Sequence, residues 1–146
     1  MGSFFTRAYA MLAICMGFLF YKYTLQLFPG VMTAHLMSLY HLNGAALGNL
    51  AASFFYGYVI MQWFAGPLVD RYGVELPSLA ALTVAVTGII IFVNTTSLHY
   101  AQFARILMGG GAAFATITYL RCSALWFDRS SAGFTGGLLT VGVMCG

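Results

Sequence analysis

Long apolar runs separated by short polar punctuation make up almost the whole chain. From about Tyr9 to Leu39, Gly44 to Leu68, Pro77 to Val93 and Leu98 to Leu125, nearly every position is apolar or small. A helix needs about 20 such residues to cross a hydrocarbon core of about 30 Å, and it satisfies its backbone groups internally. The runs are continuous and rich in Leu, Ala, Ile, Phe and Gly, which predicts helices rather than the short alternating strands of a membrane barrel. Pro29-Gly30 predicts a kink in the first helix. Asn43 is placed to cap the second, Pro77 to open the third, and Asn94-Thr95-Thr96-Ser97 to link the third to the fourth. After the polar link Trp126-Phe127-Asp128-Arg129-Ser130-Ser131, Ala132 begins a fifth apolar helix that reaches Gly146. At ~1.5 Å per residue it rises about 22 Å, short of the core thickness. The expected fold is all-α: a polytopic transmembrane bundle of four helices and the start of a fifth, read as one partial domain over residues 1–146 with further sequence missing.

Composition agrees with this pattern. The chain is 61% hydrophobic and 6% charged, with a mean hydropathy of +0.88, whereas soluble domains carry about 25% charged residues. The net charge of +3 reflects sidedness rather than nucleic-acid binding. Arg7, Arg71, Arg121 and Arg129 fall at one set of helix ends, and the opposite links hold only His35, His41 and His99. Cytoplasmic loops collect Lys and Arg, so the N-terminus and the segment around Asp70 are expected in the cytoplasm.

Two segments carry a family resemblance. Gly66-Pro67-Leu68-Val69-Asp70-Arg71-Tyr72-Gly73, between the second and third helices, resembles the signature loop of the major facilitator superfamily. Arg105-Ile106-Leu107-Met108-Gly109-Gly110-Gly111-Ala112 is similar to that superfamily's fourth-helix pattern of an arginine followed by glycines. Phe54-Phe55-Tyr56-Gly57-Tyr58 and Ala124-Leu125-Trp126-Phe127 resemble bacterial members, particularly solute and organic-anion transporters. The resemblance implies twelve helices in two halves, a solute held between them, and access that alternates as the halves rock. It also implies that Asp70 latches the cytoplasmic side to the opposite half, which this chain lacks. The residues themselves suggest that Gly66 permits close packing, that Asp70 accepts hydrogen bonds at a neighbouring helix N-terminus, that Arg71 pairs with the latch or with lipid phosphate, and that Gly73 takes a positive φ. Val74-Glu75 stand where the family pattern has basic residues, which predicts a weaker grip.

Intramembrane charge points to the transport path, because a Lys or Arg at a helix centre costs at least about 2.5 to 3.5 kcal/mol without a partner or water. Lys22, Gln26 and Thr33 fall within about 40° of one another on the first helix. Arg105, Gly109, Ala112, Thr116 and Tyr119 share a face of the fourth, and Asn49, Ser53 and Tyr56 cluster on the second. These faces are expected to line one aqueous path, with Lys22 and Arg105 attracting an anionic group. For Lys22 the alternative is snorkelling to the interface, and for Arg105 it is bonding exposed backbone carbonyls. Asn49, Ser53, Thr116 and Tyr119 are more often interhelical glue than ligands, and Gly48 to Ala52 and Gly133 to Gly137 read as close-packing pairs.

No Asp or Glu falls within a predicted span, which mildly favours an anion over a proton-coupled solute. Cys15, Cys122 and Cys145 lack metal-ligand spacing with the histidines. Gly109-Gly110-Gly111 lacks the strand and lysine of a phosphate loop and reads as a packing surface. No catalytic constellation and no cofactor are expected. The reading is therefore a secondary transporter for a small solute, with an organic anion as the favoured class, whose partners are membrane lipid and a missing C-terminal half. It is placed in a bacterial inner membrane. The alternative is a truncated product or membrane scaffold without transport of its own.

Overall fold

The computed structural model describes the backbone of residues 2–126 and of Gly137, and side chains from residue 13 to residue 121. Apart from Gly137, the expected fifth helix lies outside the described residues, as do Asp128, Arg129, Gly133 and Cys145 and the side chains of Arg7 and Cys122. Five helices follow one another: α1 (Gly2–Val31), α2 (Thr33–Tyr40), α3 (Gly44–Tyr72), α4 (Glu75–Asn94) and α5 (Leu98–Trp126). Among the described residues, α3, α4 and the Leu98–Arg121 part of α5 are long and apolar enough to cross a membrane.

The first apolar run is two helices rather than one. It breaks at Met32, whose φ is −98° and ψ is 23°. Pro29 lies inside α1, where its missing N–H leaves the carbonyl four residues earlier, on Leu25, without its helical partner. Thr33 then turns its hydroxyl back onto the carbonyls of Pro29 and Gly30, at 3.2 and 2.8 Å. This side-chain bond competes with continuation of the helix.

The Asp70 segment also differs from the expected turn. Here α3 runs through Pro67 to Tyr72, so Asp70 and Arg71 occupy its last turn, and only Gly73 and Val74 separate it from α4. Val69, 3% exposed, packs with Ala65, Ala81 and Phe114, and that burial holds the final turn in place beyond the proline. Gly73 ends the helix at φ +79°, a conformation that suits a residue without Cβ. Asn43 caps the start of α3 by accepting from the Ala46 N–H at 2.8 Å. The third helix begins two residues earlier than expected, at Glu75, with Pro77 still in its first turn, where a missing N–H removes no helical bond. Of the three histidines expected in links, His35 lies in α2 and His99 in α5, while His41 caps α2 in the left-handed region.

Helix α5 is the centre of the bundle. Its spanning segment is 67% buried, against 22% for α3 and for α4, because α1, α3 and α4 all pack on it. The seams are made by small residues. A Cβ on Gly109 would collide with the Phe54 carbonyl, one on Gly57 with the Ile106 carbonyl, and one on Gly111 with the Ala81 carbonyl. Close backbone approach of this kind drives helix association where lipid removes the hydrophobic incentive. Gly48 and Gly66, in contrast, face open space, so no close packing is made at these two positions among the described residues.

Candidate functional site

Two cations enter the interior from neighbouring helices. Pro29 sets up the first contact, because the Leu25 carbonyl it strands is taken by Arg105 of α5, whose Nη1 donates to it at 2.5 Å. Arg105 has no exposed surface. Its guanidinium lies over the rings of Phe28 and Phe54, 4.9 Å from each centroid, so the cation meets the negative faces of two aromatic rings. The rings belong to a cluster of Leu25, Phe54, Met108 and Ala112, against which Phe28, Tyr58, Ile89 and Phe92 pack. Nε and Nη2 of Arg105 have no hydrogen-bond partner among the described residues.

Lys22, one turn earlier on α1, is 5% exposed. Its Nζ donates to Tyr58 Oη at 3.2 Å and to Thr116 Oγ1 at 3.1 Å, tying α1 to α3 and α5 at one point. The ammonium also lies 4.4 Å from the Tyr23 ring centroid and 4.8 Å from that of Tyr58. Hydroxyls and rings therefore surround it in place of a carboxylate. Because the side chain is directed into the bundle, its reach is used between helices rather than toward an interface.

The remaining candidates divide. Gln26 is half-buried on α1. Tyr119 is buried with Cys15, Leu19 and Ala115. Ser53 is buried, but its hydroxyl returns to its own helix at the Asn49 carbonyl, 2.9 Å away. Asn49 and Tyr56 are exposed. At about 100° per residue, Tyr56 lies about 160° around α3 from Tyr58, so it shares no face with the residues that meet Lys22. Phe28, Phe54 and Tyr58 supply the aromatic walls, and although Phe54 and Tyr58 stand in a segment that carries the family resemblance, nothing in an apolar helix marks them as facing the cations; they are four apart and stack at 6.3 Å.

At the end of the bundle near Gly73, Asp70 pairs with Arg121 of α5, and both side chains are about half exposed, at 55% and 49%. The carboxylate is thus held within this chain, by a side chain rather than by backbone donors at a helix N-terminus. Arg71 does not pair with Asp70. Its guanidinium instead lies 5.4 Å over the Tyr72 ring.

Comparison with known proteins matches this arrangement to one family. Residues 10–146 match the model of the Major Facilitator Superfamily. The chain is 32% identical over 114 residues to multidrug resistance protein 2 of Bacillus subtilis (strain 168), covering 75% of this chain and 28% of that protein. Over 101 residues it is 31% identical to the uncharacterized transporter YybO of the same organism, covering 68% and 23% respectively. The vesicular acetylcholine transporter of Drosophila melanogaster is 34% identical over 76 residues, 52% of this chain and 13% of that protein. The chain therefore spans about a quarter of the length of the two bacterial relatives. No solved structure matches it. With multi-pass apolar helices, the arginine and glycines of α5 and the Asp70 segment in the expected order, the chain belongs to the Major Facilitator Superfamily.

Proposed function

We propose that the chain supplies part of a secondary transporter that moves a small organic anion across a membrane by alternating access. One observation carries the choice of sign. Two cations, Lys22 of α1 and Arg105 of α5, are buried on helices that pack together, and no carboxylate pairs with either among the described residues. A positive charge in this setting requires compensation, which rings and hydroxyls supply only in part. An anionic group near Lys22 and the unpartnered Nε and Nη2 of Arg105 would complete it, since a guanidinium fork matches a carboxylate in two parallel hydrogen bonds. The relative named for acetylcholine bears a solute of the opposite sign, and these two cations favour an anion instead. Lys22, Gln26, Thr116 and Tyr119 are assigned to the path together with Arg105, and Tyr58 joins them. The exposed Asn49 and Tyr56, with Ser53 between them, are assigned to a boundary that further helices complete.

The remainder of the transporter is assigned to a C-terminal half in the same or a separate chain, and the membrane to a bacterial inner membrane. Arg71 and Arg121 at one end of the bundle support assigning that end, and with it the N-terminus, to the cytoplasm. Reconstitution of the complete protein in proteoliposomes tests the reading. Saturable uptake of a carboxylate should exceed that of its neutral amide, and Lys22→Ala and Arg105→Ala should weaken the carboxylate more than the amide. Equal effects on both solutes would rule out direct charge recognition.

A further inference from the structure

Helices α3 and α4 each pack on α5 far more than on each other, and a cavity of about 280 Å³ opens between them. Gly110 and Gly111 form its floor with Phe114, because they place no side chain where the two helices diverge. Leu68, Tyr72, Leu76 and Ala80 form its walls, and the last three are exposed. Along α3 the lining runs from Met61 to Tyr72, about 16 Å at ~1.5 Å per residue, roughly the depth of one leaflet of a ~30 Å hydrocarbon core. Polar surface is nearly absent until the end at Tyr72. There the ring that walls the cavity carries the Arg71 guanidinium, 5.4 Å from its centroid. Asp70, the adjacent carboxylate, is engaged by Arg121, and no carboxylate pairs with Arg71 among the described residues.

We infer that this groove seats an anionic phospholipid of the leaflet at the Arg71 end, with an acyl chain along Gly110, Gly111 and Ala80 and the phosphate on Arg71. The groove has the length and surface of an acyl chain, and its mouth has the charge of a headgroup's counter-ion. A packed helix from elsewhere in the protein would match the apolar surface but would leave Arg71 without a partner.

Native mass spectrometry of the full chain released from nanodiscs of equimolar phosphatidylglycerol and phosphatidylcholine reads the site directly. Retained phosphatidylglycerol should exceed phosphatidylcholine about five-fold, the increment expected for one basic residue at an anionic surface. Arg71→Gln should erase that preference, and Arg71→Lys should keep it. Ala80→Phe, which fills the groove from an exposed position, should reduce retention of both lipids. A preference that survives Arg71→Gln, or retention that survives Ala80→Phe, would overturn the assignment. So would capture of a protein segment, rather than lipid, by a photoreactive residue placed at Leu76.

Discussion

Arg105 and the Asp70–Arg121 pair both hold α5 against a neighbour, yet they do so in opposite surroundings. Arg105 is fully buried, with a backbone carbonyl and two aromatic rings as its contacts. Asp70 and Arg121 meet with about half of each side chain exposed, where water and salt compete for both charges. The formal ion pair is thus the weaker fastening. Exposed pairs contribute about 0 to 1 kcal/mol, whereas a hydrogen bond to a buried charge is worth about 1.5 to 3 kcal/mol. Position in the bundle, more than the presence of an opposite charge, decides what each arginine contributes.

The largest effect is expected where the buried side depends on backbone approach. Gly109→Ala puts a methyl group into the Phe54 carbonyl, and over-packing of this kind costs about 1 to 3 kcal/mol or more. Thermal unfolding in detergent should show a large loss, while Gly48→Ala, which adds its methyl in open space, should stay within about 0.5 kcal/mol of the parent. Comparable losses for the two would remove the seam from the account.

Arg105→Lys retains the charge but loses the planar fork that lies over Phe28 and Phe54 while bonding Leu25. A loss of about 2 kcal/mol is expected, and parental stability in the lysine variant would show that charge alone suffices. Next in size are the bonds of Lys22. Thr116→Val and Tyr58→Phe should each cost about 0.6 kcal/mol, the average for hydrogen bonds between membrane helices. A double-mutant cycle of either with Lys22→Met should return a coupling of that order, and zero coupling would mean that Lys22 is held by its rings. Smallest is Asp70→Asn. It should change stability by about 0.5 kcal/mol or less, and the difference should shrink as salt is raised; a loss as large as that of Arg105→Lys would erase the distinction between the two regions.

How far the sequence foretold these regions depends on what kind of signal each leaves. Helix existence was legible at Asn43 and Leu98, and the positive φ of Gly73 could be read from its place in the signature segment. The break at Met32 was not, because the kink signal lies at Pro29 and the hydroxyl that completes the break comes from Thr33, four residues later. The α3 end was placed too early because Asp70 and Arg71 look like a loop in an otherwise uncharged chain. Their neighbour Val69, buried against α4 and α5, keeps them helical.

The site was legible only in its polar members. Lys22, Thr116 and Arg105 stand out in apolar helices, and the fold brings Lys22 and Thr116 into contact. Phe54 and Tyr58 do not stand out, because a helix that is hydrophobic all round carries no face information. On α3 the visible polar stripe of Asn49, Ser53 and Tyr56 therefore drew attention to the side away from Tyr58. Gly48 and Gly109 show the same limit, since both sit in small-residue patterns and only one meets another backbone.

The Leu25 carbonyl and the Arg105 side chain that serves it are 80 residues apart, and this separation has a consequence for biosynthesis. During synthesis α1 enters the membrane first, already carrying the carbonyl that Pro29 leaves unbonded. Three more helices must be made before its partner arrives. Until then the gap must be filled by water or by the insertion machinery, so α1 remains provisional until α5 is inserted beside it.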